Sequence, residues 1–310
     1  MSLSYVLITP ALNEEAFIEE TIRAVIAQTI TPTRWVIVND GSTDRTDAIV
    51  RPYTASHPWI ELLTLPPRSS RDFAGKARAF VAGHQSVAGL DYEVIGNLDA
   101  DITFAPNYIE NLLNHFEADP TLGVAGSPFR ENNVQYDIRF SRKEHVSGAC
   151  QLFRRECFEA IGGYVPLHPG GIDLIAVVTA RMKGWKTESF HDQYCVHHRV
   201  MGSVNDRLVA RQFKSGYGDY LLGVHPLWQF SRCMYQMTRP PRVIAGSMLL
   251  AGYTWALVVR ARKPVSEEFV RFRHQEQMRN LAGYVKQWLG LQKRSPATEA
   301  LVGERPSRTS

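Results

Sequence analysis

Cysteine is scarce in this chain: there are 4 in 310 residues, at Cys150, Cys157, Cys195 and Cys233, and no C-x-x-C pair among them. Such spacing argues against a structural zinc site and against a disulfide scaffold, and it fits a reducing compartment. The first ten residues lack a basic stretch followed by a long apolar run, so no signal peptide is expected and the protein is placed on the cytoplasmic side. Charge of one sign is also in short supply. A formal net charge of +4 is too small to make nucleic acid the expected partner. What remains, 44% apolar and 21% charged residues, is the composition of a globular protein, long enough for one large domain or one domain with appendages.

Short apolar runs alternate with amphipathic stretches through the first 126 residues. Tyr5 to Thr9 reads as a strand stopped by Pro10, followed by a helix with Phe17, Ile18, Ile22, Val25 and Ile26 on one face and Asn13 or Glu14 as its cap. Trp35 to Val38 is a second strand, ending in the turn residues Asn39-Asp40-Gly41-Ser42-Thr43-Asp44, with Ser42 as a cap of the next helix. A helix through Ile49 and Val50, a strand from Ile60 to Leu65, a loop from Pro66 to Arg71 and a helix from Gly75 to Ala88 follow. Near-continuous apolar strands with helices between them predict an α/β fold, a mostly parallel sheet covered on both faces. Beyond residue 127 the pattern changes. Pro128 to Arg142 is polar and irregular, then a strand from Ala149 to Phe153, a short helix ending at Gly162-Gly163 and a helix from Asp173 to Lys183 are expected.

The chemistry centres on Val94-Ile95-Gly96-Asn97-Leu98-Asp99-Ala100-Asp101. A strand alternates faces, so Asp99 and Asp101 converge only if the chain leaves the strand at Asp99 and turns. Carboxylates at the carboxyl end of a central strand stand where open α/β sheets bind ligands, and oxygen ligands suit Mg²⁺ or Mn²⁺. The plainer alternative makes both residues turn and capping groups.

Taken in order, Thr9-Pro10-Ala11-Leu12-Asn13-Glu14-Glu15, Val38 to Asp44, Asp99-Ala100-Asp101, Gly162-Gly163-Tyr164, Asp173 and Gly184-Trp185-Lys186 resemble a family 2 glycosyltransferase of the GT-A fold, over roughly residues 4 to 200. The resemblance implies a Rossmann-like sheet and a metal-dependent, inverting enzyme that moves a sugar from a nucleotide diphosphate sugar to a glycan or lipid-linked acceptor in envelope polysaccharide or glycolipid synthesis. It implies nucleotide-sugar contacts from Thr9, Pro10, Ala11, Glu14, Asp40, Arg71, Lys76, Asp99 and Gly148. Asp101, with Asp99 and one of His197 and His198, would hold Mn²⁺ or Mg²⁺. It makes Asp173 the catalytic base, although Ile172 stands where the family usually has a glutamate; Asp173 as a helix N-cap is the structural alternative. Two other readings carry less. A nucleotidyltransferase would show a glycine-rich phosphate loop near the first strand, and a non-catalytic sugar-nucleotide-binding protein would not be expected to keep all the carboxylate positions.

On this reading residues 1–225 form the catalytic domain, 1–127 the nucleotide-sugar half and 128–225 the acceptor half, with a helical extension over 226–293 and a disordered polar tail over 294–310. Val243 to Val259 is an apolar run flanked by Arg239, Arg242, Arg260, Arg262 and Lys263. Its length is at the lower limit for a bilayer span, so a peripheral membrane contact through 239–263 at the inner face of the cell membrane is expected, with a buried core helix or an oligomer contact as alternatives. The charged helix from Glu267 to Trp288 is expected to cover the catalytic half or a second subunit.

Overall fold

A computed structural model describes residues 3–67, 73–131, 143–167, 170–199 and 205–289. These fall into two compact units, one running up to residue 199 and the other from residue 205 onward. The division comes ahead of the boundary at 225 set from the sequence.

The first unit is built on β1 (Tyr5–Ala11), α1 (Ile18–Ile26), β2 (Arg34–Asn39), α2 (Thr46–Ser56), β3 (Ile60–Thr64), α3 (Phe73–Val87), β4 (Val94–Leu98), β5 (Ile102–Thr103), α4 (Tyr108–Ala118), β6 (Leu122–Gly126), β7 (Phe129–Glu131), β8 (Cys150–Arg154), α5 (Arg155–Ile161), α6 (Ile172–Met182), β9 (Lys186–Ser189) and β10 (Cys195–His197). A seven-stranded sheet has the order β3-β2-β1-β4-β8-β6-β9, and β5-β10-β7 form a second, three-stranded sheet. Every pairing in the large sheet is parallel except those of β8 with β4 and β6. Helices cover both faces, which is why β1, β2 and β4 are apolar at nearly every position. Tyr5, Leu7, Trp35 and Ile37 pack on one face, and Val6, Ile8, Val36 and Val38 on the other.

Glycine sets two close approaches. A Cβ on Gly83 in α3 would lie 2.7 Å from Ile8 Cγ2 and 2.8 Å from Val38 Cγ2, so α3 can sit this close to the sheet only without a side chain there. Gly96 in β4 is likewise pinched between Leu7 and Leu152.

Three local expectations are corrected. Asn13 and Glu14 do not cap α1; Phe17 is the N-cap, without a side-chain bond, because the Asn13 amide oxygen is taken by the Thr43 N–H at 2.8 Å. Ser42 does not cap α2 either; its hydroxyl accepts from the Asn13 N–H at 3.0 Å, tying two loops together. Within the segment read as irregular, Phe129–Glu131 is a strand, because it can pair in parallel with Cys195–His197.

The second unit comprises α7 (Asn205–Leu221), α8 (Pro226–Met237), α9 (Ile244–Val258) and α10 (Glu267–Trp288). Helix α9 is packed from two sides by protein, through its glycines. A side chain at Gly252 would run into the backbone of Phe213, and one at Gly216 into that of Leu249, so α7 and α9 cross in van der Waals contact of their main chains. Gly246 meets α8 at Cys233 in the same way. At 15 residues and about 1.5 Å of rise per residue, α9 reaches roughly 22 Å against a hydrocarbon core of about 30 Å. No helix among the described residues is long and apolar enough to cross a membrane. Charged α10 turns Phe269, Arg273 and Gln277 inward at i, i+4, i+8. Arg273 donates to the Leu222 carbonyl at the end of α7, and Gln277 accepts from the His225 N–H at 2.8 Å, so α10 caps helices of its own unit.

Candidate active site

The parallel strands β1, β2 and β4 all release their chains at one edge of the sheet, and the loops there are tied to one another. The Asp40 N–H donates to the Ala11 carbonyl at 2.9 Å. Gly41 has φ +78°, and a Cβ on it would fall 2.6 Å from Pro67 Cα, so glycine is needed both for the turn and for the approach of the loop after β3. The result is an Asp40 carboxylate only 5% exposed beside the end of β1.

Asp99 and Asp101 follow β4 as the sequence predicts. The Asp99 N–H donates to the Ala149 carbonyl at 2.8 Å, the chain turns, and Ile102 begins β5. Because β5 pairs antiparallel with β10, with Ile102 opposite His197, the histidine is delivered beside the carboxylates by sheet register. His197 Nε2 stands 3.5 Å from Asp101 Oδ1. Its Nδ1 is 2.7 Å from the Arg199 carbonyl, which can only accept, so Nδ1 carries a proton and Nε2 is the nitrogen that faces the carboxylates. Ligand atoms of Asp99, Asp101 and His197 lie within 4.8 Å of one another. Two carboxylates and one correctly oriented imidazole fit Mn²⁺ or Mg²⁺. His198 is not part of this group. The next residue along the chain turns the other way, and its Nε2 lies 2.8 Å from the Thr103 hydroxyl and 3.6 Å from Glu20.

Two cations already engage the carboxylates. Lys76 Nζ pairs with Asp99. Burial disfavours the Lys76 ammonium, yet the carboxylates of Asp99, then Asp173 and Asp101, outweigh it and raise its pKa. Burial pushes the Asp99 carboxyl up, with Lys76 opposing and Asp101 adding to the rise. Arg199 pairs with Glu14 through Nη2, and its Nε lies 3.2 Å from Asp101 Oδ2. These side chains leave a partly open cleft: about a third of Lys76 and of Arg199 is solvent-exposed, against 9% of Asp101.

Asp173 comes from the second half of the unit. Gly171, at φ 79°, is the N-cap of α6, so the capping alternative for Asp173 fails; Asp173 sits inside the first turn. It packs over Gly148, where a Cβ would fall 2.8 Å from Asp173 Oδ2. The Gly148 carbonyl accepts from Asn97 Nδ2 at 2.8 Å, which anchors this loop to β4. The carboxylate of Asp173 is close enough to raise the pKa of Lys76 and, behind the burial that dominates it, that of Tyr164. Ile172, where the family usually has a glutamate, is buried at 8% exposure in the core under α6.

Thr9 does not reach the cleft by its side chain. Strand alternation puts it in the core, fully buried, with its hydroxyl accepting from Trp35 Nε1 at 2.9 Å. Pro10 and Ala11 end the same strand at the cleft side. Arg71 lies outside the described residues. Arg199 and Asn97 were given no role from the sequence. Nothing in local spacing signals the pairing of Arg199 with Glu14, 185 residues away.

A cleft of carboxylates at the carboxyl edge of a mostly parallel sheet, backed by a small second sheet, defines the GT-A class of α/β fold. The chain belongs to glycosyl transferase family 2, whose profile matches residues 6–166. Among sequence relatives, the succinoglycan biosynthesis protein ExoA of Rhizobium meliloti is 29% identical over 191 residues, 53% of each chain. A 4,4'-diaponeurosporenoate glycosyltransferase of Staphylococcus aureus is 30% identical over 39% of this chain and 30% of its own. The chondroitin synthase of Pasteurella multocida is 27% identical over 40% of this chain and 12% of its own. The chain thus spans about half of these relatives' length at most. Among solved structures, the mannosyltransferase PcManGT of Pyrobaculum calidifontis, in complex with GDP-Man and Mn²⁺, superposes with a TM-score of 0.56 at 20% identity, covering 92% of this chain and 87% of that one. The S. aureus TarS fragment 1-349 with UDP-GlcNAc gives 0.54 at 12% identity over 87% and 79%. At these identities the likeness is one of fold.

Proposed function

We propose that the chain is a metal-dependent inverting glycosyltransferase, moving a sugar from a nucleotide diphosphate sugar to a hydroxyl of a glycan or lipid-linked acceptor. One observation carries this reading: Asp99, Asp101 and His197 form a group of ligand type, and Asp173 acts on the same Lys76 ammonium from a separate part of the chain.

Asp99, Asp101 and His197 would hold the divalent ion, which supplies Lewis-acid stabilisation of the departing diphosphate. Asp40, beside Ala11, accepts hydrogen bonds from base N–H or ribose hydroxyl groups. Glu14 lines the same edge. Lys76, released from Asp99, and Arg71 contribute positive charge to the diphosphate; Gly148 leaves room for the sugar beside Asp173. Asp173 takes the proton of the acceptor hydroxyl as that oxygen attacks the anomeric carbon from the face opposite the leaving group, a single displacement with inversion. Relatives named for succinoglycan biosynthesis and as a 4,4'-diaponeurosporenoate glycosyltransferase favour a polysaccharide or glycolipid product. Exposed Leu227, Phe230 and Met234 on α8 and Trp255, Leu257 and Val258 on α9, with basic residues nearby in sequence, support a peripheral contact at the cytoplasmic face of a membrane.

The test is Asp173→Asn. Transfer falls by about 10²- to 10⁴-fold, the usual share of a general base, while donor affinity measured by calorimetry stays within a factor of about three. Full transfer activity in this variant removes the base assignment.

A further inference from the structure

Arg199 occupies the very carboxylate that the proposed function assigns to the ion. Its Nε lies 3.2 Å from Asp101 Oδ2, its Nη2 bonds Glu14, and its guanidinium carbon stands 5.7 Å from the Phe17 ring. A dication at Asp99, Asp101 and His197 would be held beside that guanidinium, and two like charges sharing one carboxylate repel. Arg199 is 35% exposed and follows the last strand of the small sheet, so it is not walled in, whereas Asp101 and Glu14 are about nine-tenths buried. An arginine is also the side chain best shaped to accept a diphosphate by two parallel N–H bonds.

We propose that Arg199 is a displaceable internal cation of the donor site. It neutralises Glu14 and Asp101 while the site is open, yields Asp101 to the divalent ion, and turns its guanidinium to the donor's diphosphate. Glu14 is the tether that keeps it at the site throughout. The inference rests on the metal reading of the proposed function. It adds something that reading does not require: a side chain that opposes the bare ion and favours the ion together with a nucleoside diphosphate. The metal alone therefore binds weakly and the two ligands bind with positive coupling, since charge added by one is balanced by the other.

The experiment uses the full chain, with Mn²⁺ binding followed by electron paramagnetic resonance without nucleotide, and UDP and GDP binding followed by calorimetry with saturating Mn²⁺. Arg199→Met, which keeps length and loses charge, binds Mn²⁺ about tenfold more tightly than the wild type and nucleoside diphosphate about tenfold more weakly. Arg199→Lys keeps the charge but cannot bridge two carboxylates, and tightens Mn²⁺ by about threefold. An ion pair with a merely structural role would weaken Mn²⁺ binding on its removal or leave it unchanged. Either result in Arg199→Met overturns the proposal when the wild type binds Mn²⁺; should that variant not fold, the same result in Arg199→Lys does so. Failure of wild type and variants alike to bind Mn²⁺ overturns the metal reading itself and this inference with it.

Discussion

The two units handle close packing and polar groups in opposite ways. In the sheet unit the interior is mostly apolar and the charged side chains of the cleft collect where strands end: Asp40 after β2, Asp99 and Asp101 after β4, His197 at the end of β10. Backbone hydrogen bonding fixes those ends, so the chemistry is positioned by register. In the helical unit positions are fixed by glycines that let main chains touch, at Gly216, Gly246 and Gly252, and by polar side chains reaching helix ends, as Arg273 does at Leu222. The first arrangement makes a cleft in which carboxylates gather against Lys76 and Arg199. The second makes a closely packed scaffold in which Gly216, Gly246 and Gly252 each face the backbone of another helix.

Breaking the first arrangement has the larger effect. Asp101→Ala removes a carboxylate that also pairs with Arg199 and faces His197; under the proposed metal site it lowers metal affinity by more than about 100-fold, read as loss of Mn²⁺-dependent thermal stabilisation by nucleotide. Retained stabilisation in that variant would separate the carboxylate from the metal. In the helical unit the sharpest contrast lies within one helix. Gly216→Ala forces α7 off α9 and costs about 1–3 kcal/mol in chemical denaturation. Gly218→Ala, two residues on, meets nothing within 4 Å and gains roughly 0.5–1 kcal/mol through helix propensity. Equal effects at the two sites would refute the main-chain contact.

Smaller effects separate the units through their thiols. All four cysteines are free and buried. Burial pushes Cys157 and Cys195 in the sheet unit up to about 12, and Cys233 in the helical unit up to about 11. Native protein at pH 8 is thus alkylated far more slowly than unfolded chain, and Cys233 reacts first; peptide mapping of a labelling time course checks the order. The smallest effect is at the surface. Hydrogen bonds from the Thr121 hydroxyl, then Lys186, hold Asp119 at about 2. Its folded value is below the unfolded value of about 3.9, so its contribution is complete above pH 4 and is lost as pH falls through 2. Acid unfolding of Asp119→Asn should differ from wild type above pH 4 and converge with it near pH 2.

The sheet unit was the more legible in sequence because period-2 apolar runs and turn residues at strand ends state both the element and the place where its chain leaves the core. The positions of Asp99 and Asp101 beyond β4 and the turn at Asp40-Gly41 were read that way, whereas Asp173, inside a helix, was singled out only by the family resemblance. What local pattern could not supply was pairing between distant short strands. The sheet of β5, β10 and β7 has strands of two or three residues, and only its register separates His197 from His198. Arg199 lay in view without a role, since its partners arrive from the loop after β1 and the turn after β4. In the helical unit the apolar run 243–259 packs one side on protein at Gly246 and Gly252 and exposes Trp255, Leu257 and Val258 on another, and composition alone does not tell the two apart. Three glycines facing named backbone atoms mark the protein contact, visible only once α7 and α8 are in place. Phe269, Arg273 and Gln277 hide a buried face in a helix whose overall composition reads as solvated.

The most direct test is anomalous diffraction at the manganese edge from crystals grown with Mn²⁺ and a nucleoside diphosphate. The account predicts one ion bounded by Asp99, Asp101 and His197, with Arg199 moved off Asp101 toward the diphosphate. An ion bound elsewhere, or a nucleotide seated with Asp101 still paired to Arg199, would contradict it.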